Sequence, residues 1–211
     1  MNPIDKIHPS WKPIIDILNE DEELKKLNKD ILPNCTYYPN RQDIFNVFSM
    51  DLKDIKVVIL GQDPYPNEGQ ALGYAFAVSE TTTKPASLRI IEKEVGHEID
   101  KTLFNWRQQG VFLLNTALTV EAKKAGSHLK YWENFTKEVI KYISFNNPCI
   151  WLLWGAKAFQ YEKYLGKENN ILKAPHPAAE AYKSGAGYIG CKHFEIVNSI
   201  LVEQNKEIIN W

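Results

Sequence analysis

A chain of 211 residues, 44% apolar and 24% charged, is long enough for one substantial core, and a single domain over 1–211 is expected. No run approaches the ~20 apolar residues of a membrane span, and Met1-Asn2-Pro3-Ile4-Asp5-Lys6 lacks the basic-then-apolar plan of a secretory signal; a membrane partner is excluded and a cytoplasmic location expected. The formal net charge of −1 does not advertise a nucleic-acid partner, and the three cysteines favour reduced thiols and leave a four-cysteine iron–sulfur cluster one ligand short.

In chain order, residues 8–28 read as one amphipathic helix or two, with Ile14, Ile15, Leu18, Leu24 and Leu27 apolar and Pro9 and Pro13 at the start. Residues 32–41 form a loop broken by Pro33, Pro39 and Asn40, and 42–48 look helical. Val57-Val58-Ile59-Leu60 is an uninterrupted apolar run, three of its four residues β-branched, and predicts a strand buried on both faces. A short extended segment is expected over 73–78, then a helix from Ser87, as N-cap, to about Ile99. Further buried strands are expected over 110–115 and 149–155, and a fourth over 171–174. Helices over 131–142 and 192–205 complete the pattern. Strands alternating with helices imply a three-layer α/β/α fold around a central, mostly parallel four-stranded sheet.

The carboxyl ends of parallel strands open on one edge, where such folds place their chemistry. Gln62 and Asp63 follow the first strand, Asn115 ends the second, the Gly155 loop follows the third and His176 the fourth. Each alone reads most simply as a turn or rigid-loop residue; together they point to one pocket. A carboxamide, an imidazole, a carboxylate and the aromatic faces of Tyr65 and Phe76 suit a flat nucleobase. Neither G-x-x-x-x-G-K-[ST] nor G-x-G-x-x-G is present, so a phosphate-first nucleotide site is not expected. Charge is uneven: residues 1–55 sum to −3, 56–120 to −1 and 121–211 to +3, so the last third can carry a basic face, although lysines scattered over solvated helices would give the same count.

Over nearly its whole length the chain resembles the family 1 uracil-DNA glycosylases. The likeness is carried by Gly61-Gln62-Asp63-Pro64-Tyr65, Gly73-Tyr74-Ala75-Phe76, Lys84-Pro85-Ala86-Ser87-Leu88 and Gly110-Val111-Phe112-Leu113-Leu114-Asn115-Thr116. It continues through Leu152-Leu153-Trp154-Gly155, Lys173-Ala174-Pro175-His176-Pro177 and Gly190-Cys191-Lys192-His193-Phe194. The resemblance implies hydrolytic excision of uracil from single- or double-stranded DNA by a monomer needing no metal or cofactor, with a DNA-mimicking inhibitor protein as a further partner. Asp63 would activate the attacking water and His176 would donate to uracil O2. Asn115 would pair with O4 and N3, Tyr65 would exclude a thymine methyl, Phe76 would stack on the base and Gln62 would hold a carbonyl. The alternative is a non-catalytic DNA-binding or replication scaffold on the same fold, disfavoured by the presence of both Asp63 and His176.

Departures from the family pattern concentrate in the DNA-gripping parts. Pro66 stands where the family usually has histidine, so a second contact to the water is lost or supplied by backbone, and a retained but slower reaction is expected. The leucine-bearing loop of the family is replaced by His176-Pro177-Ala178-Ala179-Glu180-Ala181, which puts Glu180 at the place of the apolar wedge. Ala156, Ala178 and Ala181 replace phosphate-gripping serines, and only Ser87 persists. The chain is about two residues longer through Ser184-Gly185-Ala186-Gly187, which could re-aim Tyr182 or Tyr188 as the wedge, with Lys157, Lys183 and Lys192 attracting the backbone as point charges. A remodelled clamp is therefore expected, with single-stranded substrate less affected than duplex. Cys191 and His193 form a Cys-x-His pair, but no third ligand lies nearby and a metal site is not expected.

Overall fold

In a computed structural model that describes residues 3–211, a four-stranded parallel sheet separates two apolar cores. Met1 and Asn2, the start of the segment read for a leader, lie outside the described residues. Two helices, α1 (Lys12–Glu20) and α2 (Glu22–Lys26), open the chain. Asp21 divides them: its backbone is extended and its carboxylate accepts the Leu24 N–H at 3.0 Å, capping α2. The loop expected over 32–41 carries a two-residue strand, β1 (Tyr37–Tyr38), followed by a cis Tyr38–Pro39 bond. The helix expected over 42–48 is two separate 3₁₀ turns, Arg41–Asp43 and Asn46–Ser49.

The central strand β2 (Val57–Gly61) is buried at every residue, as its apolar run required. Beyond it, 73–78 is a series of bends rather than extended chain, with one isolated bridge from Ala71 to Val78. Gly73 and Phe76 both take positive φ there, so the chain curls under the sheet edge instead of running along it. Helix α3 (Ala86–Val95) is not capped by Ser87: Pro85 holds the cap position, and Ser87 is the second helical residue. It stops short of Ile99 because Gly96 closes it in the left-handed conformation.

A short helix, α4 (Phe104–Gln108), leads into β3 (Val111–Asn115), and β4 (Val120–Glu121) pairs antiparallel with β1. Helix α5 (Leu129–Asn146) extends the expected 131–142 segment at both ends. Then follow β5 (Ile150–Trp154), the short α6 (Ala156–Phe159), β6 (Asn170–Ala174), α7 (Pro177–Tyr182) and α8 (His193–Glu203). Sheet order is β3-β2-β5-β6, all parallel.

Alternation along the strands sorts the cores. Val58, Leu60, Phe112, Leu114, Trp151 and Leu153 face the layer that contains Trp11, Trp132 and Phe135. Val57, Ile59, Val111, Leu113, Ile150 and Leu152 face Leu88, Ile91, Val197 and Leu201 from α3 and α8. Both faces are covered, as an all-parallel sheet requires, and all four strands deliver their carboxyl ends to one edge.

Candidate active site

That edge is assembled from strand ends locked to one another. Gly61 and Asn115 are register partners across β2 and β3. Past them, the Thr116 N–H donates to Gly61 O at 3.0 Å, while the Ala117 N–H and Thr116 Oγ1 donate to Gln62 O at 2.9 and 2.7 Å. The backbone that carries Gln62 and Asp63 is thus fixed on both sides, and Pro64 restricts it further. Asp63 accepts from the Gly126 N–H through Oδ2 (2.5 Å) and from Gln62 Nε2 through Oδ1 (3.0 Å), so its two oxygens are oriented and it remains partly exposed.

Asn115 is 5% exposed, yet its carboxamide makes no hydrogen bond to the described residues. Buried amides ordinarily find partners inside the protein; this one keeps its donor and its acceptor open. Gly61 makes room for it, since a Cβ there would lie 2.4 Å from Asn115 Oδ1 and 2.8 Å from Ala75 Cβ. Gly61→Ala is therefore expected to displace the amide and to weaken ligand binding about tenfold or more, the scale of one lost hydrogen bond to a charged or polarised group, with thermal unfolding and ligand titration run side by side.

His176 follows β6 as the cap of α7, and its Nδ1 accepts the Ala178 N–H at 3.1 Å. In the neutral ring the proton is then on Nε2. Burial lowers the pKa of His176 below its ordinary value, which favours that neutral form. Gly155, at φ +90°, allows the approach: a Cβ there would sit 2.8 Å from His176 Cβ. The Phe76 ring lies 5.9 Å from the imidazole and 5.4 Å from Trp154. Phe76 has φ 64°, a left-handed backbone for a bulky residue, and such strain concentrates at functional sites.

Tyr65 completes the wall. Its hydroxyl is 3.0 Å from Ser87 Oγ and 3.4 Å from Phe76 O; burial pushes the phenol pKa up, more than the Ser87 bond lowers it, and keeps it protonated. Ser87, expected as a cap, is thus a buried partner of Tyr65. Sequence reasoning missed His128, which is buried with Nδ1 3.0 Å from Thr119 Oγ1 while Nε2 has no partner among the described residues. Thr119 Oγ1 already accepts from Trp132 Nε1 at 2.8 Å, so its own proton suits Nδ1 and leaves Nε2–H as the free donor. Burial lowers the His128 pKa, with Glu121 and Asp63 pulling the other way. The signal was the Gly126-Ser127-His128 turn, whose first N–H grips Asp63.

Of the residues expected to face DNA, Lys157, Tyr182, Lys183 and Lys192 are exposed. Tyr188 is not available: it is fully buried, edge-on to Trp154 at 5.1 Å. Glu180 is half-buried, and backbone N–H groups of the loop that follows α7 hold its carboxylate. The Cys191–His193 pair is otherwise engaged, with the thiol 3.7 Å from Glu94 Oε1 and His193 Nδ1 accepting from Trp154 Nε1 at 3.0 Å.

A neutral imidazole donor, an unpartnered carboxamide, an oriented carboxylate and an aromatic wall at one sheet edge define a protein that recognises a flat polar heterocycle. The sequence matches the model of the uracil DNA glycosylase superfamily over residues 49–202. A uracil-DNA glycosylase of Buchnera aphidicola (subsp. Acyrthosiphon pisum, strain Tuc7) is 41% identical, covering 96% of this chain and 97% of that protein. One of Aliarcobacter butzleri is 42% identical, covering 96% and 100%. The crystal structure of mimivirus uracil-DNA glycosylase superposes with a TM-score of 0.91 at 25% identity, covering all of this chain and 89% of that one, and a variant of the mimivirus enzyme in complex with UGI gives 0.88 at 26%. The chain belongs to the uracil DNA glycosylase superfamily, and stands with its family 1 members.

Proposed function

We propose that this protein hydrolyses the N-glycosidic bond of deoxyuridine in DNA, releasing free uracil and leaving the sugar-phosphate backbone intact, the first step of base excision repair. The observation that carries the reading is the Asn115 carboxamide, buried at the end of β3 beside Gly61 and without a partner among the described residues. Its N–H and C=O match uracil O4 and N3–H; cytosine would meet donor with donor, leaving buried polar groups unpaired.

The step balances on the chain's own residues. A water oxygen bonds to C1′ as the C1′–N1 bond breaks, and the electron pair goes to the departing uracil. Asp63 accepts the water's proton, and its charge stabilises the oxocarbenium-like sugar on the way. The negative charge gathering on O2 meets the His176 Nε2–H, a fixed donor in a partly desolvated site. His128, whose turn holds Asp63 through the Gly126 N–H, keeps an unpartnered Nε2 among the described residues and is a candidate for the second polar contact that Pro66 cannot make. Gln62 holds a base carbonyl and Phe76 stacks on the ring. Tyr65, fixed through Ser87, fills the space beside C5.

On the DNA side, Lys157, Lys183 and Lys192 attract the backbone and Tyr182, 91% exposed, fills the vacated stack. The Ser87 hydroxyl can accept from Tyr65 and still donate outward to a phosphate. Flipping the base costs a few kcal/mol, less in single strands, and with three serines replaced by alanines the duplex should be the poorer substrate. The mimivirus complexes with UGI support a DNA-mimicking inhibitor protein on this same surface. Among the described residues no helix is long and apolar enough to cross a membrane. Cys35, Cys149 and Cys191 are free thiols, which supports a reducing compartment, and a cytoplasmic location is proposed on that ground.

Release of free uracil from a uracil-containing oligonucleotide, single-stranded and duplex, tests the reading. Tyr65→Ala tests the specificity argument in the same assay: thymine release should become measurable, while uracil release falls about tenfold for want of the packed ring. Thymine release no greater than wild type would remove Tyr65 from that role.

A further inference from the structure

The loop that follows α7 is held from inside by a carboxylate. Glu180 Oε1 accepts from the backbone N–H groups of Gly187 (2.8 Å), Tyr188 (2.9 Å) and Ile189 (3.3 Å), and Oε2 accepts from Gly185 (3.0 Å). Gly185 at φ 75° and Gly187 at φ 99° take left-handed backbones that turn these donors onto one point, a nest of the kind that binds anions. A second carboxylate, Glu94 from α3, accepts from the Gly190 N–H at 2.6 Å and the Lys192 N–H at 2.9 Å, tying down the far end. Between the two ties Tyr188 is driven into the core against Trp154, and Trp154 backs Phe76. Tyr182 and Lys183, on the near side of the loop, stay exposed.

A glutamate at 180 that pointed outward would be repelled by phosphate. With both oxygens accepting from backbone donors, its charge is offset by four N–H dipoles. The inserted glycines and the glutamate therefore explain one another: the extra residues make the nest, and the carboxylate fills it.

We propose that Glu180 is a positioning residue for the DNA-facing surface. Its carboxylate ties the 183–190 loop back onto α7, seats Tyr188 behind the aromatic wall, and presents Tyr182 and Lys183 outward in place of an apolar wedge at 180. The proposal rests on the DNA-facing role argued above, and extends it to a residue that touches neither base nor phosphate.

Two variants separate the contributions. Glu180→Gln keeps one acceptor oxygen but turns an amide N–H₂ toward the Gly185 N–H, whereas Glu180→Ala leaves all four donors empty. Full-length protein would be digested with trypsin under native conditions, scoring cleavage after Lys183, and assayed for uracil release from duplex and single-stranded DNA. Cleavage after Lys183 should rise about tenfold in Glu180→Ala, the scale of one charge-assisted hydrogen bond, with Glu180→Gln intermediate. KM on duplex should rise by a similar factor while kcat on single strands stays within about twofold. Acetate, compared with chloride at equal ionic strength, should partly restore both properties to Glu180→Ala by refilling the nest, a rescue that a merely disrupted fold would not show. Unchanged cleavage after Lys183, or a duplex KM equal to wild type in both variants, would overturn the proposal. If wild type released no uracil from either substrate, the catalytic reading would fail while the trypsin comparison still judged Glu180.

Discussion

Replacing Asp63 with alanine should reduce uracil release about 10³-fold, within the range a positioned general base supplies, or about 4 kcal/mol of transition-state stabilisation. Two consequences of one carboxylate are lost together: the acceptor for the water's proton and the charge that opposes the developing positive sugar. The structure makes the loss specific. Asp63 lies between the Gly126 N–H and Gln62 Nε2, both close to solvent, so removing it leaves donors that water can satisfy and the fold should stand. Asp63→Asn keeps the local geometry, because an amide oxygen still accepts from Gly126, but it loses the base and the charge together. Single-turnover release by the two variants should therefore be similarly slow, with uracil inhibition of the residual activity nearly unchanged, since Asn115 and His176 hold the base independently. If Asp63→Asn retained most of the wild-type rate, charge would not be the carboxylate's contribution.

Much of this site was legible before any coordinates. The run Val57-Val58-Ile59-Leu60 reads as a buried strand, and equivalent runs before Asn115 and Gly155 imply the parallel sheet and hence the edge at which the segments carrying Asp63, Asn115 and His176 emerge. What stayed hidden was governed by contacts distant in sequence. Ser87 read as a helix cap because local chemistry favours serine there, but Pro85 takes that position and Tyr65, 22 residues earlier, claims the hydroxyl. The segment 73–78 read as extended because its residues are apolar, whereas its path is set by Gly73 closing against Asp43 O, where a Cβ would come within 1.9 Å. What holds the Glu180 carboxylate was hidden for a further reason: the backbone donors around it come from the loop after α7, and their direction depends on the φ angles of Gly185 and Gly187. Strand ends could be placed from pattern alone; loop interiors could not.

His176→Ala should lower kcat about 10²–10³-fold, the value of one preorganised donor to a developing oxyanion, with KM moved far less because charge on O2 appears only as the bond breaks. Tautomer and protonation state are both fixed by the surroundings. The Ala178 N–H occupies Nδ1, so the proton faces outward on Nε2, and burial holds the ring's pKa below its ordinary 6.5. A neutral ring is already the active donor, so activity that depends on His176 should stay level as pH falls through 6.5, where an unperturbed histidine would become half cationic. Stability moves differently. Burial is also the leading influence lowering the pKa of His128 and His193, so below about pH 6.5 the unfolded chain binds protons that the native chain does not, and stability drops as the solution is acidified. Rate measured across pH 5–8 alongside thermal melts should show the melting temperature declining on the acid side before kcat does. A kcat that instead rose as pH fell through 6.5 would mean that imidazolium, not imidazole, stabilises the leaving uracil, and the electrostatic assignment of His176 would have to be reversed.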